Sequence, residues 1–220
     1  GMLGPTSENP ATKWYNRRMQ YYPYDPQTAR QILDAEGWKA GPDGIRVKDG
    51  RRLSLTMVST AGNITREQTE VILQQRWRAI GVEVIIKNGP APMVFALAAN
   101  GGPLYSGNFD VALSAFVDNT PGPSRWNFNH EDRIPPKGNN ISFFRSAELS
   151  RLEDEGASTY DVAKRKRIYD RAQEIELRDL PYYVIRWAQN TDVRSTALRG
   201  LRPTVVSSNF WNIADWELTR

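Results

Sequence analysis

Apolar and polar positions recur along this chain with two periods, one belonging to strands and the other to helices. In LSLTMVSTAGNITREQTEVILQQRWRAIGVEVIIK, residues 53–87, Leu53, Leu55 and Met57 alternate with Ser54 and Thr56, as in a half-buried strand. Val82, Val84 and Ile86 alternate with Glu83 and Lys87 in the same way. Between them Leu73, Trp77 and Ile80 stand at i, i+4 and i+7, which gathers them on one helical face, away from Arg66, Glu67, Gln74 and Arg78. Asn63 or Thr65 caps the start, Gln68 follows Thr65 by three residues, and Gly81 suits the left-handed position that ends a helix. A strand, a helix and a strand form a crossover that needs a parallel sheet, so the pattern predicts an α/β fold, a layered sheet with flanking helices.

The same reading extends to both sides. Residues 1–24 carry Pro5, Pro10 and Pro23 with little periodicity, an extended surface-running segment whose Trp14, Tyr15, Tyr21, Tyr22 and Tyr24 call for cover. Asp25-Pro26 opens a helix with the stripe Ala29, Ile32 and Leu33, closed by Gly37, and a hairpin around Ile45–Val47 leads into the central unit. After Lys87 the run MVFALAANGG predicts a short helix, and FDVALSAF, Phe109–Phe116, predicts a strand buried on both faces. VDNTPGPSRW ends that strand, and residues 127–142 read as a long polar loop. Two helices follow. One begins at Ser146 with a partial capping box; the other is capped by Asp161 and stops before Pro181. YYVIRW at 182–187 predicts a strand, and the irregular end predicts Trp211 and Trp216 anchored in apolar surroundings.

Composition narrows the classes. The chain has 220 residues, 40% of them hydrophobic, which is enough for an ordinary core. Its 29 Lys and Arg against 25 Asp and Glu are interspersed, and the string Lys164, Arg165, Lys166, Arg167 points around more than one helical face, so a solvated basic surface is the better reading than a nucleic-acid patch. The absence of Cys excludes disulfides, thiolate metal sites and a Cys nucleophile without fixing a compartment. No run reaches the ~20 apolar residues of a membrane span. The opening Gly-Met reads as a cloning remnant on a piece of a longer protein, so the lack of a signal peptide carries no weight against export.

Chemistry is sparse. His130 is the single His, and with Glu131 and Asp132 in a polar loop it reads as solvated, matching neither a metal-ligand spacing nor a Ser-His-Asp triad. NGG at 100–102 and GPDG at 41–44 fit turns and match no phosphate-binding fingerprint. Asp118 stands out: a carboxylate at the exit of an apparent central strand, beside Asn119 and between Phe116 and Trp126, is placed to receive a ligand ammonium or hydroxyls. An Asx-turn before Pro121 is a slightly better account of Asp118 than ligand contact, and buried packing accounts equally well for the two aromatics. An α/β enzyme using Asp118 and Asp110 as carboxylate catalysts is the alternative, weakened by the lack of a second matched acid or base within a recognisable motif.

The ordered blocks YDPQTARQILDAEGW, DGIRVKDGRRLSLTMV, REQTEVILQQRWRAIGVEVII, NFDVALSAFVDNTPGP, GNNISFFRSAELSRL and AKRKRIYDRAQEIELRDLPYYVI resemble the C-terminal lobe of the peptide/nickel class of bacterial extracellular solute-binding proteins, over roughly residues 20–215. The resemblance implies one lobe of a type II periplasmic binding protein-like fold. It implies a receptor, periplasmic or lipid-anchored, that closes on its ligand, passes it to an ABC permease in the membrane and performs no chemistry, with no cofactor and no metal. On this reading residues 1–24 are an inter-lobe crossover, 25–202 the ligand-binding lobe and 203–220 a return segment, the N-terminal lobe being a separate part of the same protein. Asp118 matches the place where peptide-binding relatives present an acid to the peptide's amino terminus, and Phe116 stands where relatives often have Trp. Peptide, sugar derivative, opine and metal chelate all stay open as ligands. The lobe alone lacks half of the cleft walls, and weak or no binding is expected of it.

Overall fold

The structure, a computed structural model, describes residues 2–115, 122–188, 191, 193–204 and 210–219. It divides into two compact units: Tyr22–Ala115 with Asn127–Ser146, and residues 2–21, 122–126 and 147 onward.

The first unit opens with α1 (Pro26–Ala35), where Asp25 Oδ1 accepts from the backbone N–H groups of Gln27 and Thr28 and Pro26 takes the first helical position. Ala29 and Leu33 turn inward, while Ile32 stays exposed. A small antiparallel sheet follows, in the order β1 (Lys39–Ala40), β2 (Arg46–Lys48), β3 (Arg51–Arg52). The expected crossover comes next: β4 (Ser54–Val58), α2 (Ile64–Arg78) and β5 (Glu83–Ile86), with β4 and β5 parallel and Leu55 opposite Val84. Asn63, and not Thr65, caps α2; its Oδ1 accepts from Arg66 N at 3.0 Å, and Glu67 reaches back to Gly62 N at 2.8 Å. Leu73, Trp77 and Ile80 are half-buried on the inner face, and Met57, Val58 and Val84 are core.

Two expectations beyond β5 need correction. The apolar run at 93–102 is not one helix: α3 (Ala91–Val94) stops early, Gly101 is left-handed at φ 77°, and α4 (Pro103–Ser106) starts anew. Splitting lets Val94 and Leu104 both enter a cluster with Val58 and Ile141. The strand expected over Phe109–Phe116 pairs only from Asp110 to Leu113 among the described residues, with β6 (Val111–Ala112) as its ladder. It is an edge of the three-stranded sheet β5-β4-β6 and only half-buried; β4 is the central strand. Phe109 packs against the Val58 cluster, so its apolar character serves that cluster and does not mark a doubly covered strand.

The predicted polar loop at 127–142 is packed. It holds the end of α5 (Trp126–Asn129), a short turn at Glu131–Arg133 and a cis Pro135–Pro136 bond. Buried Asn140 donates through Nδ2 to the carbonyls of His130 and Phe144. His130 is buried rather than solvated, its Nδ1 accepting from Asp132 N at 3.1 Å.

In the second unit α6 (Ala147–Ser158) and α7 (Val162–Asp179) pack closely at Gly156, where a methyl group would come within 2.5 Å of the Tyr169 ring. Asp161 caps α7, and Leu180 in the left-handed region ends it ahead of Pro181. Part of the leading segment lies on α7. Thr6 Oγ1 donates to Gln173 Oε1 at 3.0 Å, Ser7 N and Oγ donate to Glu176, and Gln173 Nε2 donates to the Trp14 carbonyl. Trp14 gains the cover its size demanded, whereas Tyr22 and Tyr24 of the first unit are exposed.

Residues 182–187 form no strand; among them Trp187 alone makes a bridge, antiparallel to Met2. Near the end β7 (Leu198–Arg199) pairs antiparallel with β8 (Glu217–Leu218). Trp211 is 52% exposed, contrary to expectation, and the anchor is its neighbour Asn212, which is buried and bonded to Gly200 O and Trp216 Nε1.

Two buried polar side chains govern the first unit. Arg46, on β2, donates through Nε to Ile80 O at 2.8 Å and through Nη1 to Trp38 O at 2.6 Å and Asp34 Oδ1 at 2.7 Å. It thereby serves carbonyls just beyond the carboxyl ends of α2 and α1, which no intrahelical donor reaches. Gly81 at φ 88° makes room, since a Cβ there would meet Arg46 Cγ at 2.7 Å. Glu70, 0% exposed on α2, accepts from Asn88 Nδ2 at 2.6 Å, and Asn88 Oδ1 accepts from Ser59 N at 3.0 Å. Glu70 Oε1 is buried without a partner. Burial pushes this carboxyl above its ordinary value, the Asn88 bond opposing.

Arg46→Met is expected to destabilise the chain by about 3 to 5 kcal/mol in urea unfolding, two charge-assisted bonds to carbonyls being worth ~1.5 to 3 kcal/mol each. Asp34→Asn, on the exposed side of the same guanidinium, is expected to leave the midpoint nearly unchanged, which separates the carbonyl contacts from the ion pair. Glu70 is raised in the folded state, so the fold holds its proton more tightly than the unfolded chain and loses stability as pH climbs through that range. Glu70→Gln is therefore expected to raise the melting temperature at neutral pH, with the gain vanishing below about pH 4, the ordinary carboxylate range; melting curves across that interval check it.

Candidate ligand-binding site

Because β4, β5 and β6 run parallel, their carboxyl ends lie along one margin of the sheet, where open α/β sheets place ligands. At the exit of β4, Ser59 and Thr60 are buried; Ser59 Oγ donates to Leu113 O at 2.7 Å, and Thr60 Oγ1 accepts from Arg66. At the exit of β5, Asn88 is fixed between Ser59 and Glu70. The chain that leaves β6 is held to β4 as far as Leu113, whose N donates to Val58 O.

Phe116, Asp118 and Asn119, the residues singled out for ligand contact, lie outside the described residues. Trp126 is described, half-buried, with its Nε1 donating to Asp154 Oδ1 of α6 at 3.0 Å. Asp110 sits at the opposite, amino end of β6. Its Oδ2 accepts from Thr56 N at 2.7 Å and its own N donates to Thr56 O, so this carboxylate fixes register. A recess of about 420 Å3 opens beside it, lined by Thr56, Val58, Lys87, Pro103 and Phe109 among others. Among the described residues no three His, Cys, Asp or Glu side chains gather as a metal site.

The second unit holds an arrangement that periodicity did not disclose. Gly122 to Trp126, the stretch that follows the undescribed residues, is fastened to α6 by Glu153, 1% exposed, whose Oε2 accepts from Ser124 Oγ and from Arg125 N, both at 3.0 Å. The Arg125 side chain donates to Gly122 O, Ser124 O and Ser7 O and pairs with Glu8 at 3.3 Å. A sequence signal existed: Glu153 shares the inner face of α6 with Leu149, Leu152 and Gly156, and a carboxylate inside an apolar stripe requires a buried donor.

Residues 3–133 match the family described as bacterial extracellular solute-binding proteins, family 5 Middle. The oligopeptide-binding protein AppA of Bacillus subtilis is 26% identical over 200 residues, which cover 90% of this chain and 36% of AppA. A probable ABC transporter-binding protein of Deinococcus radiodurans is 26% identical over 193 residues, 80% of this chain and 32% of its own length. The chain thus spans about a third of the length of these curated relatives. Among solved structures, the oligopeptide-binding protein of Thermus thermophilus superposes with a TM-score of 0.70 at 29% identity, covering 80% of this chain and 32% of that one. AppA superposes with a TM-score of 0.75 at 23% identity, over 98% of this chain and 42% of AppA, a likeness of fold. The architecture is that of a lobe of a type II periplasmic binding protein, and the match over residues 3–133 shows that the chain belongs to the bacterial extracellular solute-binding proteins of family 5.

Proposed function

We propose that this chain is the C-terminal lobe of the substrate-binding component of an ABC-type importer, taking up a peptide or a related small polar solute by cleft closure and delivering it to a membrane permease. The observation that carries the reading is the family match over residues 3–133. The parallel sheet β5-β4-β6, whose edge strand feeds directly into residues 116–121, supports it. The Thermus thermophilus relative was solved with a pentapeptide and AppA with a nonapeptide, which favours peptides; the Campylobacter jejuni neighbour NikZ holds Ni(L-His), so a chelate is the next class.

Phe116, Asp118, Asn119 and Trp126 are the proposed ligand contacts, Asp118 taking a ligand ammonium through a charge-assisted bond. Residues 1–24 and 203–220 are the proposed crossovers to an N-terminal lobe elsewhere in the same protein, and the setting is periplasmic or extracellular, with or without a lipid anchor. The protein works by binding, without catalysis. The enzymatic alternative through Asp118 and Asp110 loses support from Asp110, whose carboxylate is committed to the Thr56 amide.

Thermal-shift screening of the complete receptor against peptide, opine and sugar libraries tests this. A ligand that raises the melting temperature and is recovered unaltered is the expected result, and turnover of any such ligand overturns it. Asp118→Ala in the complete receptor is expected to weaken binding by ~1.5 to 3 kcal/mol without lowering the unliganded melting temperature, as for one lost charged hydrogen bond; isothermal titration with the ligand identified in the screen measures it.

A further inference from the structure

Arg125 is 8% exposed, and its one guanidinium serves two stretches of chain far apart in sequence. Toward the stretch that follows residues 116–121, Nη1 donates to Gly122 O at 3.4 Å and Ser124 O at 3.1 Å. Toward the leading segment, Nε donates to Ser7 O at 3.2 Å and Nη2 to Glu8 Oε2 at 3.3 Å. Each stretch also has its own hold on the helices: Ser124 and the Arg125 backbone on Glu153 of α6, Thr6 and Ser7 on Gln173 and Glu176 of α7. Arg125 links the two.

The chemistry is specific to arginine. A planar fork presents five N–H donors in fixed directions, enough to hold carbonyls on one side and a carboxylate on the other, whereas a lysine ammonium is a point charge on a flexible stem. With Glu8 also nearly buried, the pair cannot separate without leaving a charge in a dry environment, so the two stretches move together or pay a desolvation cost.

We propose that Arg125 is a positioning residue that couples the stretch 122–126, which ends at the proposed ligand contact Trp126, to the leading segment, so that engagement of a ligand is felt there. The proposal rests on the reading of Trp126 as a ligand contact and of residues 1–24 as a crossover between lobes. Gly122 and Ser124 are held by the same side chain that grips Ser7 and Glu8. Whatever shifts one end of this bridge alters the hydrogen-bond geometry at the other.

Hydrogen–deuterium exchange on the full 220-residue chain tests the bridge without any ligand. In Arg125→Lys, amide exchange at residues 5–9 and 122–126 is expected to rise together by about tenfold or more, with α6 and α7 within about twofold of the parent. A rise spread over α6 and α7, or confined to one of the two stretches, overturns the coupling. Should Arg125→Lys not fold, Glu8→Gln removes the cross-link's charge at constant shape; faster exchange at 122–126 in that variant supports the bridge, and an unchanged rate there overturns it.

A second arm titrates the complete receptor with pentaalanine. Arg125→Lys is expected to lower its affinity by about tenfold or more, and to do so non-additively with Trp126→Ala. Unaltered affinity in Arg125→Lys overturns the functional half of the proposal. Failure of the parent receptor to bind pentaalanine, or full affinity in Trp126→Ala, overturns the peptide reading of the site while the exchange result still decides the bridge.

Discussion

Parallel pairing of β4 with strands on both sides is the constraint from which the first unit follows. Parallel neighbours cannot be joined by a tight turn, so each must be reached by a crossover. The α2 helix makes one, and the split passage through α3 and α4 makes the other. The same constraint sends the carboxyl ends of the strands to one margin, so Ser59, Asn88 and the chain leaving Leu113 converge there. In such a sheet the strands set position and the loops beyond them carry chemical identity.

Both units resolve the cost of buried polarity with small, nearly closed networks. Arg46 is satisfied by carbonyls and one carboxylate, and Arg125 by carbonyls and Glu8. Such groups add little net stability compared with apolar packing, but they admit few alternative arrangements, which suits segments that lack regular structure. Glu70 departs from this pattern: its Oε1 has no partner, and burial raises its proton affinity. Its other oxygen orients Asn88 at the strand exits, so a local cost accompanies a fixed geometry at the sheet margin.

What the sequence disclosed was local. The alternation in Leu53–Met57 and Val82–Ile86, the Asp25-Pro26 start and the Asp161 cap all act within a few residues, and the strand, helix and strand appear where their periods put them. Long-range partners were hidden. FDVALSAF has the pattern of a central strand, and an apolar run does not say whether its side chains face a second sheet layer or the Val58 cluster. The polar neighbours of His130 conceal the packing around Asn140, and the size of Trp211 does not reveal that Asn212 is the anchor. Glu153 and Arg125 are only 28 residues apart, yet the leading segment they help fix lies more than a hundred residues upstream of both, beyond the reach of any periodicity. The ordered family blocks carried what periods could not, and the match over residues 3–133 agrees with them.

Arg46 also sets how the first unit comes apart. Helices ordinarily fray from their ends, each at its own rate, since the last carbonyls have no internal donor. Here one guanidinium, on a strand of the small antiparallel sheet, holds the chain just past the ends of both α1 and α2. Displacing that single arginine releases both exits at once, so loosening there is shared between two helices that are distant in sequence.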